Sequence, residues 1–338
     1  MEQKIYNEYV EILKEELLPA MGCTEPIAVA YAAAVAVQAL GEKPESVEVN
    51  VSANIIKNVK SVVVPCTGGL RGIGAAVCAG MVAGCPEKEL EILEEITGEQ
   101  KVEMKKMLDT MPMTIRESDK EYIFDIQIKA CAGGHSGYVE IAGFHTNVIC
   151  VKKDDEIIRE KAYEEQGSSC ATDRSLLTVE KIIEFADCVD VADVEEVLQR
   201  QIDYNWAIAE EGMTGKWGAA IGKTLMEAYG NSVHNRAKAM AAAGSDARMN
   251  GCELPVVINS GSGNQGMTTS LPVIVYAKEL NVSKEMMLRA LVVSNLITIH
   301  MKTGIGRLSA YCGAISAGCG AGAGICYLYG GRAYEISH

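Results

Sequence analysis

Helical periodicity dominates the sequence from Leu176 almost to the last residue, and this long stretch constrains the fold more than any other feature. A second helical stripe of apolar residues runs from Ile5 to Leu17 near the start of the chain. Strand-like alternation lies between these two helical regions. The predicted strands are Val47–Ser52, Tyr122–Ala130, Gly137–Gly143 and Thr146–Lys153, and the last three form a β-meander.

These patterns predict an α+β protein with a large, mainly helical domain and a smaller α/β lobe that contains the β-meander. We expect residues 1–42 to form a helix pair that packs on the C-terminal helical domain. Residues 43–160 would form the lobe, and residues 161–338 the helical catalytic domain. Inside the lobe, the sequence predicts a short apolar strand at 61–65 and one charged surface helix at 87–108.

Composition excludes several classes of function. The formal charge of −14 argues against nucleic acid as a partner, because phosphate binding needs clustered Lys and Arg. No apolar run is long enough to span a bilayer, and the first residues lack the apolar region of a secretory signal. The sequence therefore predicts a cytoplasmic protein without a membrane partner, which we expect to form a homo-oligomer. Few aromatics and many small apolar residues favour closely packed helices.

Three of the twelve cysteines recur at seven-residue spacing, at Cys312, Cys319 and Cys326, in a Gly/Ala-rich run. Seven residues are about two helical turns, so these thiols share one face if the run is helical. Cys23 stands directly before another apolar helix pattern, where a thiolate is favoured. These cysteines are candidate metal ligands, with packing as the alternative. The cysteines predicted to be small core residues are Cys78, Cys85, Cys131, Cys150, Cys170, Cys188 and Cys326.

The segment INSGSGNQG (residues 258–266) follows a short strand-like lead and precedes a helix pattern. Successive small residues let backbone N–H groups point into one concavity, and a helix start adds its dipole. A carboxylate or a phosphate is the natural guest, and the polar side chains suit an amino acid. A simple glycine-rich turn is the alternative. The predicted substrate-binding residues are Asn259, Ser260, Ser262, Gly263, Asn264 and Gln265.

Candidate acid–base residues are few because the chain has only five histidines. His300 and Lys302 lie close to the cysteine run, and His135 lies beside the β-meander. Each can exchange a proton with a substrate, and each can equally serve a structural or surface role.

Five segments together resemble the L-cysteine desulfidases, a family related to the α-subunit of iron–sulfur L-serine dehydratases. The resemblance extends in order over nearly the whole chain. It implies an elimination that converts L-cysteine to pyruvate, ammonia and hydrogen sulfide, with a [4Fe–4S] cluster as Lewis acid and no pyridoxal phosphate. The segments are GCTEPIAVAYAAA (22–34), SANIIKNVKSVVVP (52–65), GHSGYVEI (134–141) with HTN (145–147), INSGSGNQG (258–266), and HMKTGIGRLSAYCGAISAGCGAGAGI (300–325).

The resemblance also implies cluster ligands. Cys23 and Cys312 match the positions expected to bind the cluster, and we expect them to approach each other in the fold. The two remaining ligands of the family are expected downstream of the stretch that ends at His338. A chain of 338 residues would then hold an incomplete ligand set and be truncated at its C-terminus, unless Cys319 or Cys326 replaces a missing thiolate.

Alternative functions remain open at the level of sequence. An L-serine dehydratase would use the same mechanism. A cluster-less relative would retain only the amino-acid pocket. A pyridoxal-phosphate lyase would need a buried lysine facing the INSGSGNQG segment, and no lysine stands out in the sequence as that residue.

Overall fold

A computed structural model describes residues 1–22, 24–163, 172–305 and 313–338 of the chain. The chain divides into two compact units. Unit 1 comprises Met1–Met21 and Cys170–His338, and unit 2 comprises Gly22–Ser169. Helices dominate unit 1 and a mixed sheet lies in unit 2, which confirms the predicted α+β class. No helix in the described ranges is long and apolar enough to cross a membrane.

The elements follow one another in chain order, and unit 1 resumes at α6. Up to residue 163 they are α1 (Gln3–Glu16), β1 (Pro19–Met21), α2 (Thr24–Leu40), β2 (Ser46–Val51), α3 (Ala53–Val59), α4 (Gly72–Ala83), α5 (Gly98–Thr110), β3 (Met113–Glu117), β4 (Asp125–Ala132), β5 (His135–Ala142), β6 (Val148–Lys153) and β7 (Glu156–Glu160). From residue 172 onward they are α6 (Val179–Cys188), α7 (Ala192–Met213), α8 (Ile221–Tyr229), α9 (Val233–Met249), β8 (Pro255–Val257), α10 (Gly263–Glu279), α11 (Lys284–Thr303), α12 (Ala314–Leu328) and α13 (Ala333–Ser337).

The sheet of unit 2 has the strand order β3-β2-β4-β5-β6-β7. β2 and β3 are parallel, and every other neighbouring pair is antiparallel. The predicted β-meander is therefore confirmed, and β7 extends it by one strand. Ile126 and Ile128 of β4 are fully buried on one face of the sheet, and Asp125 and Gln127 are buried on the other face.

Helix α2 packs on the sheet and on α4, so it belongs to unit 2, whereas α1 belongs to unit 1. The predicted helix pair at residues 1–42 is thus divided between the two units. The physical reason is the small-residue surface of α2. A Cβ on Gly137 of β5 would lie only 2.1 Å from the carbonyl oxygen of Ala36, so glycine lets the helix backbone approach the sheet closely.

Two local predictions in unit 2 were wrong. The single helix predicted at 87–108 is a 3₁₀ helix at Pro86–Glu91 followed by α5, because Thr97 caps a new helix start. The strand predicted at 61–65 is absent from the described strands. Only an isolated bridge between Val63 and Arg71 forms there.

The core of unit 1 joins α1 to the C-terminal helices. Tyr9 and Phe185 are both fully buried, and their rings meet edge to face with centroids 5.3 Å apart. Small residues let α12 pack closely on α11, as composition predicted. A Cβ on Gly320 would lie 2.0 Å from Oγ1 of Thr298. β1 and β8 form a separate two-stranded antiparallel sheet, in which Met21 pairs with Pro255.

The described cysteines divide by burial. Cys78 and Cys150 are buried as predicted, and Cys252 is buried too. Cys188 is exposed, which corrects its assignment to the core, because it lies in the last turn of α6 on the solvent side. Three further cysteines predicted to lie in the core, namely Cys85, Cys131 and Cys326, are only partly buried. Cys170 lies outside the described residues.

Candidate functional site

A tight turn connects β8 to α10, as the sequence predicted. The backbone N–H of Asn259 donates to the carbonyl oxygen of Ser262 at 3.2 Å, and the reverse bond is 3.1 Å. Ser260 and Gly261 both have positive φ, 50° and 78°, as in a type I′ turn. Ser262 then caps α10, because its hydroxyl accepts a hydrogen bond from the N–H of Gln265 at 3.4 Å.

The start of α10 presents unused hydrogen-bond donors. The backbone N–H groups of Gly263 and Asn264 have no hydrogen-bond partner in the described part of the chain. The first turn of α10 also contains no acidic residue. Free N–H groups and the positive end of the helix dipole attract an anion, so this helix end can bind a carboxylate.

A buried network of side-chain amides anchors the turn between β8 and α10. Nδ2 of Asn259 donates to Oδ1 of Asn295 at 2.9 Å. Asn295 and Gln201 exchange two hydrogen bonds of 2.8 and 3.0 Å. The hydroxyl of Ser260 donates to Oδ1 of Asn259 at 2.9 Å. Asn259, Asn295 and Gln201 are all fully buried, so the network fixes the turn rigidly.

Asn205 of α7 holds the strand that leads into the turn. Its Oδ1 accepts from the N–H of Val257 at 2.8 Å, and its Nδ2 donates to the carbonyl oxygen of the same residue at 3.3 Å. Its amide thus acts as a strand partner for β8. Sequence reasoning missed Gln201, Asn205 and Asn295. A usable signal existed, because each is an amide that falls on the apolar stripe of a helical pattern.

Helices α10 and α11 run antiparallel, because α12 meets first Gln265 and then Val273 of α10, but first Thr298 and then Ala290 of α11. Thr269 of α10 lies 3.1 Å from Thr298 of α11, measured between their Oγ1 atoms. One helical turn from this contact, toward the start of α10, lie Gln265 on one helix and Lys302 on the other. Lys302 is only 5% exposed. The sequence named Lys302 as a candidate acid–base residue but did not predict its burial.

Helix α12 begins at the same end of unit 1. Gly313 precedes its first residue, and a Cβ there would lie 2.3 Å from Cδ of Gln265. The start of α12 therefore lies against Gln265 in the first turn of α10.

The other predicted acid–base residues have different surroundings. His300 is half-buried in the last turn of α11. His135 belongs to unit 2, where its exposed ring lies 3.0 Å from Oδ2 of Asp154, measured from Nδ1. Hydrogen bonds from His135 and from the N–H of Ser136 hold the pKa of Asp154 below its usual value. These contacts fasten the end of a β-hairpin.

The predicted cluster ligands Cys23 and Cys312 both lie outside the described residues. Within the residues that the structure describes, no group of three or more His, Cys, Asp or Glu side chains could hold a metal ion. Cys319 is exposed on α12, and Cys326 packs against Gly331, where a Cβ would lie 2.4 Å from its sulfur. The described cysteines therefore do not form a ligand set for a cluster.

Comparisons with known proteins show the family of this chain. The family model for the serine dehydratase alpha chain matches residues 87–338. A UPF0597 protein of Desulfitobacterium hafniense is 56% identical over 337 residues, which cover 100% of this chain and 78% of the relative. UPF0597 proteins of Lachnoclostridium phytofermentans and Treponema denticola are 50% and 43% identical, over 98% and 99% of this chain and 80% and 79% of theirs.

Proposed function

Because the chain belongs to the serine dehydratase alpha chain family, we propose that it is a lyase that removes the β-substituent of a small α-amino acid. L-cysteine is the proposed substrate, with pyruvate, ammonia and hydrogen sulfide as products. L-serine is the alternative substrate and would give pyruvate and ammonia. Both share the α-carboxylate and α-ammonium groups, so the recognition site is the same for either.

The start of α10 is the observation that supports this proposal most strongly. It offers the free N–H groups of Gly263 and Asn264, the side-chain amide of Asn264, and no acidic residue in its first turn. The buried amides of Asn259 and Asn295 hold these donors in place before any ligand arrives. A pre-organised anion site of this kind suits the carboxylate of the substrate.

Lys302 is the proposed base that takes the α-proton. It lies seven residues after Asn295 and four after Thr298, so it continues the stripe of α11 that faces α10. His300 lies five residues after Asn295, which places it about 140° around the helix from that stripe. We therefore propose Lys302 for this role and keep His300 as the alternative.

The reaction balances without an external oxidant or reductant. The base takes the α-proton, the electrons of the Cα–H bond form a Cα=Cβ bond, and the Cβ–S bond breaks with its electron pair on sulfur. The resulting aminoacrylate takes up water and yields pyruvate and ammonia. An iron–sulfur cluster, with Cys23 and Cys312 as proposed ligands, would supply a Lewis acid for the leaving group.

A pyridoxal-phosphate lyase is the second candidate, because Lys302 provides the buried lysine that this chemistry needs. The two candidates differ in a measurable way. The first predicts iron and acid-labile sulfide in an active preparation. The second predicts activity that requires added pyridoxal phosphate and a mass increase on Lys302 after borohydride treatment.

Anaerobic reconstitution with iron and sulfide, followed by assays of pyruvate and sulfide release, tests the proposal. We expect equal amounts of both products from L-cysteine and a strong loss of activity in Lys302→Met. His300→Gln is the comparison variant and should retain most of the activity. A chain that binds L-cysteine and iron yet releases neither product would contradict the lyase proposal and favour an amino-acid-binding relative.

A further inference from the structure

Arg248 is a buried arginine at the end of α9 that lies directly against the start of α10. Its side chain is only 4% exposed. A Cβ on Gly263 would lie 2.5 Å from Nε and 2.7 Å from Cζ of Arg248. The guanidinium group therefore occupies the space that any side chain at Gly263 would need, and glycine is required there for this contact.

The charge of Arg248 is not neutralised by any carboxylate of the described residues. Its Nη1 donates to Oδ1 of Asn264 at 3.1 Å and approaches the sulfur of Met249 at 4.0 Å. Its Nε is buried without a hydrogen-bond partner. By contrast, Arg236 on the same helix pairs with Glu279. A buried cation without an anionic partner is strongly unfavourable, so such a group points to an anion that binds from outside.

The surroundings of Arg248 make an anion still more favourable. The guanidinium lies at the positive end of α10, beside the free N–H groups of Gly263 and Asn264. The last turn of α9 offers it only the partial negative charge of a helix C-terminus. Two positive features thus meet at one point, in a chain whose formal charge is −14.

Arg248 also orients Asn264. A guanidinium group has no acceptor, so the amide of Asn264 must turn its oxygen toward Arg248 and its NH₂ group away. That NH₂ group has no hydrogen-bond partner among the residues that the structure describes. Gln265, one residue further, has a buried Oε1 without a partner. This oxygen is an acceptor of the kind that an α-ammonium group needs.

We propose that Arg248, the free N–H groups of α10 and the NH₂ group of Asn264 form the subsite for the α-carboxylate of an amino acid. Gln265 accepts a hydrogen bond from the α-ammonium group of the same molecule. The inference rests on the proposed function for its choice of an amino acid as ligand. It goes further because it names Arg248, a residue outside the INSGSGNQG segment, as the positive charge that selects a carboxylate.

Calorimetric titration with L-alanine and L-alaninol tests this subsite. L-alanine has no leaving group, so it binds without turnover, and L-alaninol replaces its carboxylate by an alcohol. We expect the wild-type chain to prefer L-alanine. In Arg248→Gln, the affinity for L-alanine should fall at least about tenfold, because a charge-assisted hydrogen bond is lost, whereas that for L-alaninol should change little. Arg248→Lys should restore part of the preference.

Arg236→Gln is the matched control, because it makes the same change on the same helix where an internal partner exists. It should leave the preference for L-alanine unchanged. Equal losses for both ligands in Arg248→Gln, or no loss for either, would overturn the carboxylate subsite and leave the lyase proposal intact. A wild-type chain that binds neither L-alanine nor L-cysteine would overturn the proposed function and the subsite together.

Discussion

Two helices of this chain begin with the same sequence pattern and use it for different purposes. Both α5 and α10 follow a hydroxyl residue with glycine, a variable residue and glutamine, at Thr97–Gln100 and Ser262–Gln265. In each case the hydroxyl accepts a hydrogen bond from the N–H of the glutamine, at 3.2 Å in α5 and 3.4 Å in α10. From that point on, the two starts differ.

At the start of α5, residues of the helix start itself supply the cap and the compensating negative charge. Oε1 of Gln100 accepts from the N–H of Thr97 at 2.9 Å, which closes a capping box. Glu99 supplies a negative charge at the positive helix end. At the start of α10, the side chain of Gln265 does not cap the helix, and Asn264 stands where α5 has an acid. Arg248 adds a full positive charge to the positive end of the helix dipole. A self-sufficient cap stabilises a fold, whereas an incomplete and cationic one can bind a ligand.

The largest effect is expected from removing the amide network that distinguishes α10. Asn295→Leu leaves the buried amide of Gln201 without partners and removes the hydrogen bond from Nδ2 of Asn259 to Oδ1 of Asn295. Each unpaired group should lower the free energy of unfolding by about 1–3 kcal/mol. Urea denaturation measures the loss, and Asn7→Leu on the exposed side of α1 is the control with little effect. Equal stability of both variants would mean that the network does not support the turn.

The next largest effect is expected from placing an acidic residue in the first turn of α10. Asn264→Asp places a carboxylate beside Arg248, where the present Oδ1 to Nη1 distance is 3.1 Å. We expect the free energy of unfolding to rise by about 0.5–2 kcal/mol, because the acid also meets the positive helix end. Affinity for L-alanine should fall more than tenfold, since the anion site is now filled. Both are measurable, by thermal melting and by calorimetry.

Glu99→Gln provides the reverse change at α5 and sharpens this comparison. It removes the acid that complements the helix end, so stability should fall slightly, and binding of L-alanine should be unaffected. If Asn264→Asp bound L-alanine with the affinity of the wild-type chain, the start of α10 would not be an anion site and would not differ in this respect from the start of α5.

The smallest effect concerns the caps themselves. Thr97→Ala and Ser262→Ala each remove one side-chain cap and should each lower the free energy of unfolding by about 1 kcal/mol. Only Ser262→Ala should also reduce kcat/KM, because its helix end binds the substrate. Steady-state kinetics and denaturation curves, measured for both variants, separate an effect on catalysis from an effect on stability. A matching kinetic loss in Thr97→Ala would show that the assay reports stability rather than the site.

Local patterns in the sequence were sufficient to predict the fold class, the β-meander and the turn before α10. Period-two alternation marked β4 and β5, and small polar residues after an apolar lead marked Asn259–Gln265. The break before α5 was predictable too, because Thr97 and Gln100 carry the capping-box signature. That signature was overlooked within a run of charged residues.

The remaining features depend on contacts between segments that are distant in sequence. Periodicity cannot reveal that Asn295 meets Asn259, or that Arg248 lies against Gly263. Burial of Lys302 likewise follows from how α10, α11 and α12 pack at one end of unit 1. The placement of Cys23 and Cys312 stays a prediction, since both lie outside the described residues.

The most direct test of the anion site is to follow the backbone amides of both helix starts by NMR while L-alanine is added. The N–H groups of Gly263 and Asn264 are without partners in the structure as described, so they should shift strongly on binding. Those of Gly98 and Glu99, at the matched start of α5, should stay in place. Saturating binding of L-alanine that leaves Gly263 and Asn264 unmoved would contradict the assignment of α10 as the carboxylate site.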